Sequence, residues 1–139
     1  MNCKELKYNT LYMDIAERVA QMSHCTGRKV GAVLVKNDRI ISHGWNGMPR
    51  GMCNDCENAQ GITKDEVLHA EANLIAKLAK SHESGEDSDL YITCSPCIHC
   101  AKLIMQIGIK RVFYRDSYHM LDGVNFLKTC NIEVIEFKK

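Results

Sequence analysis

The chain has 139 residues, 45% of them hydrophobic and 25% charged, and a formal net charge of +1. That composition suits one globular domain over 1–139 with its own aliphatic core. The near-zero charge provides no field to gather a long polyanion, so a nucleic-acid polymer is not the expected partner. No apolar run approaches a membrane span, and Met1-Asn-Cys-Lys-Glu5 lacks the basic-then-apolar order of a signal peptide, so no membrane partner and a cytoplasmic location are expected. Eight cysteines in this length then read as metal ligands in a reducing compartment rather than as a disulfide scaffold.

Apolar positions Leu11, Ile15, Val19 and Met22, with Ala16 and Ala20 beside them, predict a surface helix over 4–22. The β-branched run at 30–36, the turn Asn37-Asp38 and the stretch 39–44 predict a hairpin. Gly44-Trp-Asn-Gly-Met-Pro-Arg-Gly51 is turn chemistry and reads as a loop, and 52–64 is irregular and polar. Helical spacing returns from Asp65 to Lys80, with Asp65 and Glu66 placed for the first turn. A strand at 90–93, a helix from Cys97 to Gln106 closed by Gly108, a strand at 111–114, a helix at 122–129 and a strand at 132–137 complete the chain. Strand-helix-strand units in the second half call for parallel neighbours with right-handed crossovers. The expected fold is therefore a three-layer α/β/α arrangement around a mixed five-stranded sheet.

Two motifs carry the chemistry. His69-Ala-Glu71 sits at the start of one predicted helix, and Pro96-Cys-Ile-His-Cys100 at the start of the next. An i, i+3 pair faces one side of a helix, so Cys97 and Cys100 can chelate one ion, and a helix N-terminus favours the thiolate form. With His69 they make three zinc ligands, the number that leaves a fourth position for water. Glu71 is then a carboxylate placed to move protons next to that water, and zinc brings the pKa of bound water to about 7. The alternative is a closed zinc knot of Cys97, Cys100 and other ligands such as Cys53 and Cys56, which has no use for Glu71. His99 points elsewhere on its helix and reads as a surface residue, Cys94 as a strand-end core thiol, and Cys3 and Cys130 as buried or incidental.

These residues resemble the cytidine deaminase superfamily, and within it the small phage- and bacterial-type dCMP deaminases. The likeness spans nearly the whole chain: Arg28-Lys-Val-Gly-Ala32, Gly44-Trp-Asn-Gly-Met-Pro-Arg-Gly51, His69-Ala-Glu-Ala-Asn73, Ser95-Pro-Cys-Ile-His-Cys-Ala-Lys102, Gly108-Ile-Lys-Arg-Val112 and Tyr114-x₃-Tyr118. The zinc motif marks the superfamily, and the Gly-aromatic-Asn-Gly loop marks the dCMP branch, with Trp45 where that family usually has Tyr. The resemblance implies zinc on His69, Cys97 and Cys100, and Glu71 as proton shuttle. It implies hydrolysis of dCMP to dUMP and ammonia, which supplies dUMP for dTMP synthesis. Asn46 would bind the sugar or base, Ser95 the base edge, and Tyr118 would lie beside the nucleotide. Arg28, Lys29, Arg50 and Arg115 are the candidates for the 5′-phosphate. The likeness also implies a hexamer activated by dCTP and inhibited by dTTP with Mg²⁺, through an effector loop at Gly44, Trp45, Asn46 and Gly47. Cys25, Cys53 and Cys56 would hold a second, structural zinc, with His24 as a fourth ligand. The rival readings are a deaminase of another cytosine or adenine substrate and a non-enzymatic zinc module.

Overall fold

The first helix starts where a reciprocal cap sets it. The Asn2 side chain accepts from the Glu5 N–H at 2.9 Å, and the Glu5 carboxylate accepts from the Asn2 N–H at 3.2 Å, so two orphan donors are satisfied at once. The computed structural model describes residues 1–138, with the elements α1 (Cys3–Ala20), β1 (Gly31–Lys36), β2 (Arg39–Trp45), α2 (Ala70–Ala79), β3 (Asp89–Cys94), α3 (Ile98–Gln106), β4 (Arg111–Asp116), α4 (Asp122–Thr129) and β5 (Glu133–Glu136). The stripe that α1 buries is Tyr12, Met13, Ala16 and Ala20, while Leu11 and Met22 of the expected stripe are exposed. The reason is close approach. A Cβ on Gly31 would collide with the backbone of Ala16 and Ala20, so the helix rests on β1 through its smallest side chains.

The five strands run in the order β2-β1-β3-β4-β5. β1 pairs antiparallel with both β2 and β3, and β3, β4 and β5 are mutually parallel. The hairpin between β1 and β2 turns on Asn37 and Asp38, both at positive φ (52° and 59°), as a two-residue turn of that hand requires. Alternate strand residues face opposite ways. Val33, Val35, Tyr91 and Phe113 pack with α1 on one face, and Ala32, Leu34, Leu90, Ile92 and Val112 pack with Leu74, Leu78, Ala101, Ile104 and Leu127 on the other. The mixed α/β sheet is as expected, with α1 on one side and α2, α3 and α4 on the other.

Two boundaries differ from expectation. β2 runs one residue past the expected 39–44, so that Trp45, read as loop, lies opposite Gly31 in the sheet. The second helix begins at Ala70, not near Asp65. An antiparallel bridge between Gly47 and Leu68 holds the chain extended just before it: the N–H of each donates to the carbonyl of the other, at 3.0 and 2.8 Å. Among the described residues no helix is long and apolar enough to cross a membrane.

Candidate active site

The bridge at Leu68 and the Ser95-Pro96 step place two residues at helix N-caps. Proline disfavours a helical residue before it, so the chain leaves β3 extended and turns into α3 only after Cys97. His69 caps α2 at φ −70°, ψ 159°, and Cys97 caps α3 at φ −74°, ψ 171°. N-cap side chains usually accept from their own helix. Neither of these does, and both turn toward each other. His69 Nδ1 lies 3.5 Å from Cys97 Sγ and 3.4 Å from Cys100 Sγ. The three donor atoms lie within 4.8 Å of one another. One imidazole and two sulfurs suit Zn²⁺ and leave a fourth direction unused.

Hydrogen bonds from Cys100 and then His69 pull the Cys97 thiol down to about 3. The same Cys97 contact, together with burial, pushes Cys100 up, and His69 is raised chiefly by its bond to Cys97. Glu71, in the first turn of α2, is 4% exposed. Burial raises its carboxyl from 4.5 to about 7, where a group both takes and returns protons near neutrality.

These residues open on a cavity of about 180 Å³, lined also by Arg28, Asn46, Cys94, Ser95 and Tyr118. The parallel pairing of β3 and β4 assembles that wall, since it brings both carboxyl ends to one edge. The Ser95 N–H donates to the Asp116 carbonyl at 2.9 Å, and Ser95 Oγ accepts from the Tyr118 N–H at 2.6 Å.

Residues 6–116 match the family model described as the cytidine and deoxycytidylate deaminase zinc-binding region. The chain belongs to that deaminase family. It is similar to the structure of a dCMP deaminase from the cyanophage S-TIM5 in complex with dCMP and dUMP, at 44% identity and a TM-score of 0.94 over 99% of each chain. The deoxycytidylate deaminase of Enterobacteria phage T4 is 33% identical over 91% of this chain and 88% of its own. That of Schizosaccharomyces pombe is 36% identical over 81% of this chain, which spans only 38% of the yeast protein's length.

Against that deaminase frame, the expected site residues divide. His69, Glu71, Cys97, Arg28, Asn46, Ser95 and Tyr118 line one cavity, with Cys100 beneath them. Asn46 is largely occupied with its own scaffold: Oδ1 accepts from the Val30 N–H at 2.8 Å and Nδ2 donates to the Arg28 carbonyl at 2.9 Å. Arg115 does not join them. Its guanidinium is tied to Glu17 and Asp116, each at 2.9 Å, because successive residues of a strand alternate faces. Lys29 and Arg50 are exposed and do not line the cavity.

The loop expected to bind an effector also packs against the second helix. A Cβ on Gly44 would lie 2.5 Å from the Ala70 carbonyl and 2.6 Å from the Leu74 nitrogen, so this glycine lets α2 settle on β2. The Trp45 carbonyl accepts from Asn73 Nδ2 at 2.7 Å, and Lys77 Nζ sits 4.6 Å from the Trp45 ring centroid. Gly47 is spent on the Leu68 bridge.

The expected second metal centre is brought together only in part. Cys25 and Cys56 are joined as a disulfide, and with Glu57 their donor atoms lie within 4.8 Å of one another, a set that could hold a metal ion once the two thiols are reduced. Cys53 is exposed, with its thiol on Asp55 at 3.4 Å, and His24 is exposed. Cys53 misses the cluster because 52–64 turns back on itself, through the bridge Glu57–Thr63, and Cys56 is the cysteine of that segment that faces inward. The neighbour that sequence reasoning missed is Glu57. It accepts from the Thr26 N–H, the Thr26 hydroxyl and the Gly27 N–H at 3.1, 2.8 and 3.3 Å, and these bonds, the hydroxyl first, hold its carboxyl below the usual range. Nothing in the local pattern marks it. Cys94, read as a core thiol, also faces the cavity, and His99 is exposed as expected.

Proposed function

We propose that this chain hydrolyses dCMP to dUMP and ammonia, with Zn²⁺ held by His69, Cys97 and Cys100. The observation that carries the reading is the meeting of those three donors with a buried Glu71 in one cavity. Zinc, when bound there, supplies the Lewis acidity that makes water nucleophilic near neutral pH. Everything else falls to the protein. Glu71 takes a proton from the attacking water, delivers it to the ring nitrogen N3, and passes the next one to the amino group that leaves as ammonia. Its pKa of about 7 fits both directions of transfer. A cavity of about 180 Å³ suits one flat ring with its sugar toward the mouth.

Tyr118 and Ser95 flank that ring, Asn46 stands by the sugar, and Arg28 meets the 5′-phosphate. The ligands in the cyanophage relative's structure, dCMP and dUMP, are the substrate and product of this reaction. Regulation by dCTP and dTTP with Mg²⁺ through 44–47, hexameric assembly and a role in supplying dUMP for dTMP synthesis belong to the same proposal and rest on the resemblance. Ammonia release from a panel of dCMP, deoxycytidine, cytosine and a tRNA adenosine substrate tests the reading. dCMP should be turned over best. Release from any of the others at a higher kcat/KM, or no release from dCMP, would refute it.

A further inference from the structure

Among the described residues, Arg39 ends on Glu83, Arg111 on Asp89, and Arg115 on Glu17 and Asp116, all carboxylates. Arg28 ends on sulfur instead. Its Nη1 donates to Cys94 Sγ at 2.9 Å, and Cys94, at the carboxyl end of β3, is 7% exposed. Both residues line the cavity that holds Glu71. The main chain behind Arg28 is fixed as well, since the Asn46 amide clamps its carbonyl and the Val30 N–H.

The choice of acceptor has an electrostatic consequence. A protonated thiol is a weak, neutral acceptor, whereas a guanidinium carries five N–H donors in a rigid fork. One contact to sulfur therefore orients the fork, keeps its positive charge uncancelled and leaves its other donors for an anion. Burial raises the pKa of Cys94 further, which keeps the group a thiol. A carboxylate at this place would hold the arginine harder and neutralise it, as Asp89 does for Arg111.

We infer that Cys94 is a positioning residue: it aims the Arg28 guanidinium into the cavity for a phosphate-bearing substrate, and so sets the preference for nucleotide over nucleoside. The inference rests on the proposed deamination of dCMP and names what makes that site selective.

The test is the ratio of kcat/KM for dCMP to that for deoxycytidine, measured in the parent and in Cys94→Ser, Cys94→Ala, Cys94→Asp and Arg28→Ala. Cys94→Ala should lower the ratio by about tenfold, the scale of one charge-assisted hydrogen bond, through a higher KM for dCMP. Cys94→Ser, a small neutral acceptor, should stay within about threefold of the parent. Cys94→Asp should fall as far as Arg28→Ala. A purely structural role would depress both substrates together and leave the ratio unmoved. A parental ratio in Cys94→Ala, in Arg28→Ala or in a folded Cys94→Asp overturns the inference. If Cys94→Asp does not fold, the alanine variant decides. A parent that releases no ammonia from dCMP refutes the function itself, before any variant is compared.

Discussion

Two cysteine clusters border the same cavity, and they are built differently. Cys97 and Cys100 come from one helix start and His69 from another, so regular backbone sets their spacing and an imidazole stands between the sulfurs. Cys25 and Cys56 come from irregular segments, 31 residues apart, and close on each other. Both pairs are cysteines near an acidic residue. The first cluster takes its third donor from a helix N-cap that does not cap, and the second has the Glu57 carboxylate of an irregular segment in that place.

The sharpest way to break this contrast is at the carboxylate. Glu71→Gln should cut ammonia release by about a thousandfold, within the range for a lost general acid-base group, while zinc per chain, read by metal analysis, stays at the parental level. Parental turnover in that variant would remove Glu71 from the chemistry. The cross-linked cluster should answer in stability rather than in catalysis. Under non-reducing conditions Cys25→Ser should lose about 3–4 kcal/mol in urea unfolding, the loop-closure scale for 31 residues. One zinc per chain is expected, and a second would show that the pair ligates metal.

A third prediction uses pH. The carboxyl of Glu71 is raised on folding, from 4.5 to about 7, so the folded state binds the extra proton between those values. The stability this contributes is fully present below 4.5 and is lost as pH rises through about 7. In the metal-free protein Glu71→Gln should therefore add up to about 3 kcal/mol at pH 8, at 1.36 kcal/mol per unit, with the gain vanishing near pH 4. Urea midpoints at the two pH values check it, and a gain of equal size at both would refute the assignment. Gly44→Ala should cost about 1–3 kcal/mol by overpacking and lower zinc affinity, because it pushes away the helix that carries His69. Cys53→Ser should change stability by less than about 0.5 kcal/mol, the smallest effect, since Cys53 belongs to neither cluster.

The candidate centre was legible in local sequence because its signals are local. His69-Ala-Glu71 and Cys97-x-x-Cys100 fix their own spacing, and turn residues fixed the hairpin at Asn37-Asp38. The element order and the parallel second half followed from alternating strand and helix patterns. The misreadings share one cause. The helix was expected from Asp65 because its acidic residues suit a first turn, yet a bridge to Gly47 holds Leu68 extended. Leu11 looked buried and Ala16 secondary, yet Gly31 inverts that ranking. Cys25, Cys53 and Cys56 looked alike, yet only two of them meet.

The amino-acid sequence by itself determined the donor set, its spacing and the class of sheet that holds it, since each depends on neighbours a few residues apart. Tertiary structure alone decided which cations remain available: Arg115 is neutralised by Glu17, far back in the chain, and Arg28 is held by the sulfur of Cys94. Such pairings join residues distant in sequence, and a side chain's charge is spent or kept according to what the fold sets against it.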